Sequence, residues 1–153
     1  WKRGKCFVYD VNGFMNRVEE FSYTGEGWGL CNDGKSLIMS DGSERITFRN
    51  PKTFATERVI EVYNNLGPIP QLNELEYING LIYANVYTQN FIVVIDPKTG
   101  KVLQQISANQ LVKQGKVNGD VLNGIAYNPE TKKMIVTGKF WDKYYEVKVT
   151  PVK

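Results

Sequence analysis

The sequence predicts an all-β chain built from successive β-propeller blades, and three observations carry that prediction. Apolar and polar residues alternate with period two along most of the chain, and no stretch of ten or more residues keeps a clean 3.6-residue period. Short polar turns separate one strand candidate from the next. The strand sets also repeat: Trp28-Gly29-Leu30, Asn73-Glu74-Leu75 and Asn123-Gly124-Ile125 hold equivalent places, 73 − 28 = 45 and 123 − 73 = 50 residues apart. A period of about 40–50 residues with four short strands in each is the signature of propeller blades. A β-sandwich with coincidental spacing is the competing architecture.

The elements follow in order. Cys6–Tyr9 is the first strand candidate, with a turn at Asp10–Gly13 and a partner at Arg17–Tyr23. Ser36–Ser40 and Glu44–Arg49 flank Asp41-Gly42, and Arg58–Tyr63 closes that group. Next come Leu75–Ile78, Leu81–Val86, Phe91–Ile95 and Val102–Ile106. Asn79-Gly80 tolerates positive φ between the first two, and Asp96-Pro97-Lys98-Thr99-Gly100 sets a bend before the last. Arg49-Asn50-Pro51-Lys52-Thr53 is an internal copy of that second turn, at 97 − 51 = 46 residues. The final set is Gly124–Tyr127, Met134–Thr137 and Tyr144–Val149, with a turn at Asn128-Pro129-Glu130-Thr131. Val112–Asp120 shows no periodicity and reads as a surface loop between blades.

Three nearly whole repeats and two leading strands cannot close a ring of the usual 4–8 blades without leaving open strand edges. The expectation is therefore one partial propeller domain over 1–153. Residues 1–24 supply the outer strands of one blade, 25–68 and 69–118 are blades, and 119–153 is the last. A missing N-terminal piece or a second chain would complete the ring. The opening Trp1-Lys2-Arg3-Gly4-Lys5 carries no secretory-signal pattern and reads as the interior of a domain.

Composition excludes several function classes. The 153 residues are 42% hydrophobic and 23% charged, the balance of a globular domain with a sizeable core. The net charge of +3 is small, and Lys and Arg are interspersed with Asp and Glu, so no nucleic-acid partner is expected. No apolar run approaches the ~20 residues of a membrane helix. With no His at all, Ser-His-Asp and Cys-His catalysis are unavailable and the commonest zinc ligand is missing. No metal or cofactor is expected, and acid–base work falls to carboxylates, Lys or Tyr. Cys6 and Cys31 read either as core-filling thiols or as a bridge in an oxidising compartment.

Candidate ligand residues sit where the innermost strand of each blade begins, because those segments converge on one mouth of the channel. Trp28, between glycines, can lay its ring against a ligand; the plainer reading is a core Trp between blades. Asn73 shares a strand face with Leu75 and Tyr77 and can offer an amide ligand both donor and acceptor; the plainer reading ties down a loop. Glu74 and Glu76 share the other face, where the plainer reading is one core-edge salt bridge and one solvated charge. Lys139 follows Gly138 among apolar and aromatic residues, where a desolvated Lys could polarise or orient a substrate; the plainer reading is a solvated strand end.

Taken in order, Gly25-Glu26-Gly27-Trp28-Gly29-Leu30, Met39-Ser40-Asp41-Gly42-Ser43, Leu72-Asn73-Glu74-Leu75-Glu76-Tyr77-Ile78, Tyr83-Ala84-Asn85-Val86, Ile95-Asp96-Pro97-Lys98-Thr99-Gly100-Lys101-Val102, Leu122-Asn123-Gly124-Ile125-Ala126-Tyr127 and Val136-Thr137-Gly138-Lys139 resemble the plant and bacterial type of glutaminyl-peptide cyclotransferase. The resemblance runs from Trp1 to Val149 and implies a five-bladed propeller with its site at one mouth. It implies cyclisation of N-terminal glutamine in peptides to pyroglutamate with loss of ammonia, in a secreted or periplasmic setting. Carried over by position, Trp1 and Trp28 are aromatic walls, Asn73 an amide-binding group and Lys139 the channel lysine. Tyr87 stands where the family usually has another tryptophan. The family's acid–base glutamate and its Phe-Thr-Gln-Gly-Leu-like segment belong to the first two blades and have no counterpart here, so the chain alone is expected to be inactive. A non-catalytic propeller that binds peptides or proteins is the main alternative. A metal-dependent hydrolase or lyase propeller is a weaker third, for want of a convergent ligand cluster.

Overall fold

A computed structural model describes residues 1–13, 16–115 and 120–150. Among these residues are fifteen strands and one short helix, in sheets whose strands follow one another in chain order. Strands β1 (Lys5–Tyr9) and β2 (Arg17–Ser22) form a two-stranded antiparallel pair. Strands β3 (Leu30–Asn32), β4 (Leu37–Ser40), β5 (Arg45–Arg49) and β6 (Thr56–Glu61) form a four-stranded antiparallel meander. A small hairpin follows, β7 (Tyr63–Asn64) with β8 (Gly67–Pro68). The second meander is β9 (Leu72–Ile78), β10 (Leu81–Val86), β11 (Phe91–Ile95) and β12 (Val102–Ser107). After α1 (Asn109–Gly115) come β13 (Leu122–Asn128), β14 (Lys133–Gly138) and β15 (Tyr145–Val147). These are the blades of a β-propeller, as the repeat period predicts.

Each turn has a local cause. The Oδ1 of Asn50 accepts the main-chain N–H of Lys52 and Thr53, and Asp96 Oδ1 accepts that of Lys98, so both Asx-Pro turns fold alike. Asn128 accepts from Glu130 and Thr131 in the same way, but its turn joins the first two strands of its sheet rather than the last two. It is the same turn chemistry reused at another place in the blade.

The core lies in the seams between sheets. Ile38, Ile46, Phe48 and Val62 pack with Leu72, Leu75, Ile82 and Ile95 to join the two meanders. Ile78 and Ile92 pack with Leu122, Ile125, Met134 and Val136 to join the second meander to the last sheet. Strands buried on both faces need continuous apolar runs, which is why Phe91–Ile95 does not alternate. The β1–β2 pair is held by Phe21 stacked on Phe54, centroids 5.7 Å apart, and by the Arg49 guanidinium over Tyr23 and Phe54.

Two expectations are corrected. Val112–Asp120 is not a loop throughout, because α1 occupies 109–115; residues 116–119 lie outside the described residues. The helix follows from Ala108, Leu111 and Val112, spaced i, i+3, i+4, whose apolar side packs into the second seam. Reading the segment from Val112 onward hid that pattern. The β7–β8 hairpin falls at the end of the predicted strand Arg58–Tyr63, which stops at Glu61. Cys6 and Cys31 are both free thiols, and burial pushes Cys31 up to about 12.

Candidate functional site

Strand register shows which positions are equivalent from blade to blade. Leu30 pairs with Met39, Leu75 with Ala84, and Ile125 with Val136. Counting on from the second strand of each pair, Gly42, Tyr87 and Lys139 hold one structural position, just past a strand end. Trp28, Asn73 and Asn123 hold another, at the start of each innermost strand. Both sets therefore face the same end of the sheets.

At that end the structure brings together Trp28, Tyr87 and Lys139. The Trp28 and Tyr87 rings meet edge to face, with centroids 5.7 Å apart and planes at 79°. Lys139 Nζ sits 4.8 Å from the Tyr87 centroid, a cation over an aromatic face. Trp28 is held on two sides. Its Nε1–H donates to Glu26 Oε2 at 2.8 Å, and Gly42 lies against its ring. A Cβ on Gly42 would come within 2.7 Å of the indole, and its φ of +86° also favours glycine. Neither Glu26 nor Gly42 is visible as a site residue in the sequence, although both stand in the motifs quoted above.

The chain bends sharply beside these side chains. Thr88, directly after Tyr87, has φ 68°, and Phe140, directly after Lys139, has φ 57°. A left-handed conformation is unfavourable for any non-glycine residue and most of all for a β-branched one. Such strain, of order 1–3 kcal/mol per residue, concentrates where the fold must aim a side chain.

Asn73, at the start of its innermost strand, is buried. Its main-chain carbonyl accepts the Ser40 hydroxyl at 2.5 Å, while the same Oγ accepts the Gly29 N–H at 2.8 Å. Ser40 thus ties one blade to the next. Trp1 is 70% exposed, and its ammonium donates to the Tyr23 hydroxyl at 3.3 Å. That hydroxyl abuts Gly27, so Tyr23 links Trp1 to the segment that carries Trp28.

Glu74 and Glu76 do something the sequence does not suggest. Neither makes a salt bridge among the described residues, and neither is simply solvated. Glu74 Oε2 accepts the Ile125 N–H at 2.8 Å and Glu76 Oε1 accepts the Tyr127 N–H at 2.9 Å. The pair is a double strut across the last seam. Burial pushes the Glu74 carboxyl up to about 7 despite that hydrogen bond, and raises Glu76 as well.

Among the described residues, no three His, Cys, Asp or Glu side chains converge as metal ligands, and no helix is long and apolar enough to cross a membrane. A groove of about 640 Å³ lies at the opposite end of the strands, lined in part by Asn79, Tyr83, Tyr127 and Lys132, away from the aromatic cluster.

Comparison with known proteins accords with this architecture. A curated glutaminyl-peptide cyclotransferase of Arabidopsis thaliana is 38% identical over 155 residues, covering 97% of this chain and 48% of the relative. The chain thus spans about half the length of that relative. The crystal structure of Myxococcus xanthus glutaminyl cyclase superposes with a TM-score of 0.90 at 36% identity, over 97% of this chain and 65% of that one. The WD40 β-propeller domain of Doa1, 13% identical with a TM-score of 0.53, shares the fold alone. The sequence profile of the glutamine cyclotransferase family matches residues 1–149, and the chain belongs to that family.

Proposed function

We propose that this chain supplies part of the substrate mouth of a complete propeller that cyclises N-terminal glutamine of peptides or proteins to pyroglutamate. The observation that carries the reading is the convergence of Trp28, Tyr87 and Lys139 at one end of the blades. In the reaction the α-amine attacks the side-chain amide carbon, a C–N bond forms, the bond to the amide nitrogen breaks, and ammonia leaves. One proton departs from the amine and one reaches the leaving nitrogen, so the overall change is proton-neutral. The reaction is intramolecular, and holding the glutamine side chain folded over its own amine accounts for much of the acceleration.

The roles follow from chemistry at each position. Trp28 and Tyr87 form an aromatic corner that packs the aliphatic part of the glutamine side chain and excludes water; Trp1 is a further wall. Lys139 is the donor for the oxygen that gains charge as the amine attacks. Asn73 matches a primary amide with one donor and one acceptor. The acid–base carboxylate comes from elsewhere in the ring, since Glu74 and Glu76 are engaged with main-chain N–H groups of the last sheet. Leu30 supports a larger ring: it is 50% exposed, whereas its equivalents Leu75 and Ile125 are 1% and 6% exposed against a preceding sheet. A secreted or periplasmic location belongs to the same reading.

The test is ammonia release from a Gln-initiated dipeptide by the complete protein and by residues 1–153 alone. Turnover by the complete protein, lowered roughly 10²-fold or more in Lys139→Met, is the expected result. Peptide binding without ammonia would replace the enzyme with a binding module. Turnover by residues 1–153 alone would overturn the assignment of the acid–base group.

A further inference from the structure

Asn85 is completely buried, yet its amide is only half satisfied. Its Oδ1 accepts the Gly124 N–H of the last sheet at 2.9 Å, while its Nδ2 is buried with no partner among the described residues. An orphan amide N–H costs about 1–3 kcal/mol, which the acceptor that Oδ1 gives the Gly124 N–H offsets. Its place in the register explains what the oxygen does. Asn85 is equivalent to Ser40, one residue past the Ala84 and Met39 pairings, and Ser40 clasps the next sheet through the Asn73 carbonyl. The same position in consecutive blades thus reaches the following innermost strand.

What Asn85 holds bears directly on Lys139. Gly124 lies in the irregular stretch where the pairing of β13 with β14 shifts, between Leu122↔Gly138 and Ile125↔Val136. Its φ of +151° and its closeness to the Thr137 side chain leave no room for a Cβ. Lys139 is fixed to the residues just before that stretch, donating its N–H to the Val121 carbonyl at 2.9 Å and accepting the Asp120 N–H at 2.8 Å. On the other side, Asn85 is two residues from Tyr87, whose ring lies under Lys139 Nζ. One hydrogen bond therefore joins the segment carrying the ring to the segment carrying the cation.

We infer that Asn85 is a positioning residue that sets Lys139 over Tyr87 by clasping the Gly124 irregularity. The inference rests on the functional reading above for its consequence in catalysis, but its geometric content can be tested separately. In the complete protein labelled with ¹³C-lysine, the Lys139 ε-methylene should resonate upfield of the other lysines, shifted by the Tyr87 ring, and that signal should vanish in Lys139→Arg. Asn85→Ala should return it to the envelope of the other lysines. Asn85→Asp keeps an acceptor for Gly124 and should retain it. In turnover, Asn85→Ala should lower kcat roughly tenfold with KM within about twofold, and should cost under about twofold once Lys139 is already Met. An Asn85→Ala protein that keeps the shifted resonance, or that loses as much kcat in the Lys139→Met background as in the wild type, overturns the clasp. If the wild type releases no ammonia the functional reading fails, and the lysine resonance still decides the role of Asn85.

Discussion

The Glu74 strut carries a pH dependence whose sign and size follow from its surroundings. Its carboxyl ordinarily titrates at 4.5 and is raised to about 7 in the fold, with burial as the largest cause. The native state therefore holds this proton more tightly than the unfolded chain. By linkage, the stability it contributes is fully present below the ordinary value of 4.5 and is lost as the pH rises to about 7 and beyond. At about 1.4 kcal/mol per pKa unit the loss between pH 4 and 8 is about 3 kcal/mol. Glu74→Gln removes the titration but keeps an oxygen for the Ile125 N–H. A new buried amide N–H adds a constant penalty, so the slope is the informative quantity rather than the value at one pH. The assay is urea unfolding, followed by tryptophan fluorescence, at steps from pH 4 to 8. The stability of the wild type minus that of Glu74→Gln should fall by about 3 kcal/mol across the series. A flat difference, or one that rises with pH, would refute the claim that burial outweighs the hydrogen bond at this carboxyl.

Three further outcomes follow, one at a seam and two at the aromatic cluster. Ser40→Ala strands the Gly29 N–H and the Asn73 carbonyl together in a buried junction, and should cost about 2–4 kcal/mol in chemical denaturation. Tyr87→Phe keeps the ring under Lys139 and against Trp28, so turnover of the complete protein should stay within about threefold of wild type. Tyr87→Ala removes both contacts and should lower kcat/KM by at least about tenfold in an ammonia-release assay.

Much of the architecture is legible in the sequence because propeller blades repeat. The spacing of Trp28, Asn73 and Asn123 gives the blade period, and the Asx-Pro turns give strand ends to within a residue or two. Helix α1 escapes because three apolar residues at helical spacing are too few to stand out in a chain dominated by period two. The site is legible only in part. Trp28, Tyr87 and Lys139 are recognisable as residue types in motifs, but their mutual contact depends on blade-to-blade register, which no local pattern encodes. Glu74 and Glu76 show the limit most clearly: two carboxylates two residues apart look like an acid–base pair or surface charges, and only the partner strand, fifty residues on, reveals them as acceptors for Ile125 and Tyr127.

The register also accounts for how one position in a repeating fold can supply a candidate site. Gly42, Tyr87 and Lys139 are equivalent, yet they serve in turn as the floor under Trp28, as the wall beside it, and as the cation above that wall. Two residues earlier, Ser40, Asn85 and Thr137 are equivalent as well. Side chains two apart in a strand lie on one face, separated by about 6–7 Å. Ser40 and Asn85 use that face to clasp the next blade, so each stands directly behind the residue that shapes the mouth. Among the described residues no sheet follows that of Thr137, whose hydroxyl donates instead to the Lys143 carbonyl at 2.9 Å. Holding the blades together and aiming the mouth residues are thus done by neighbours on the same strand face. A substitution at the clasp is therefore expected to alter the candidate mouth residues without touching them.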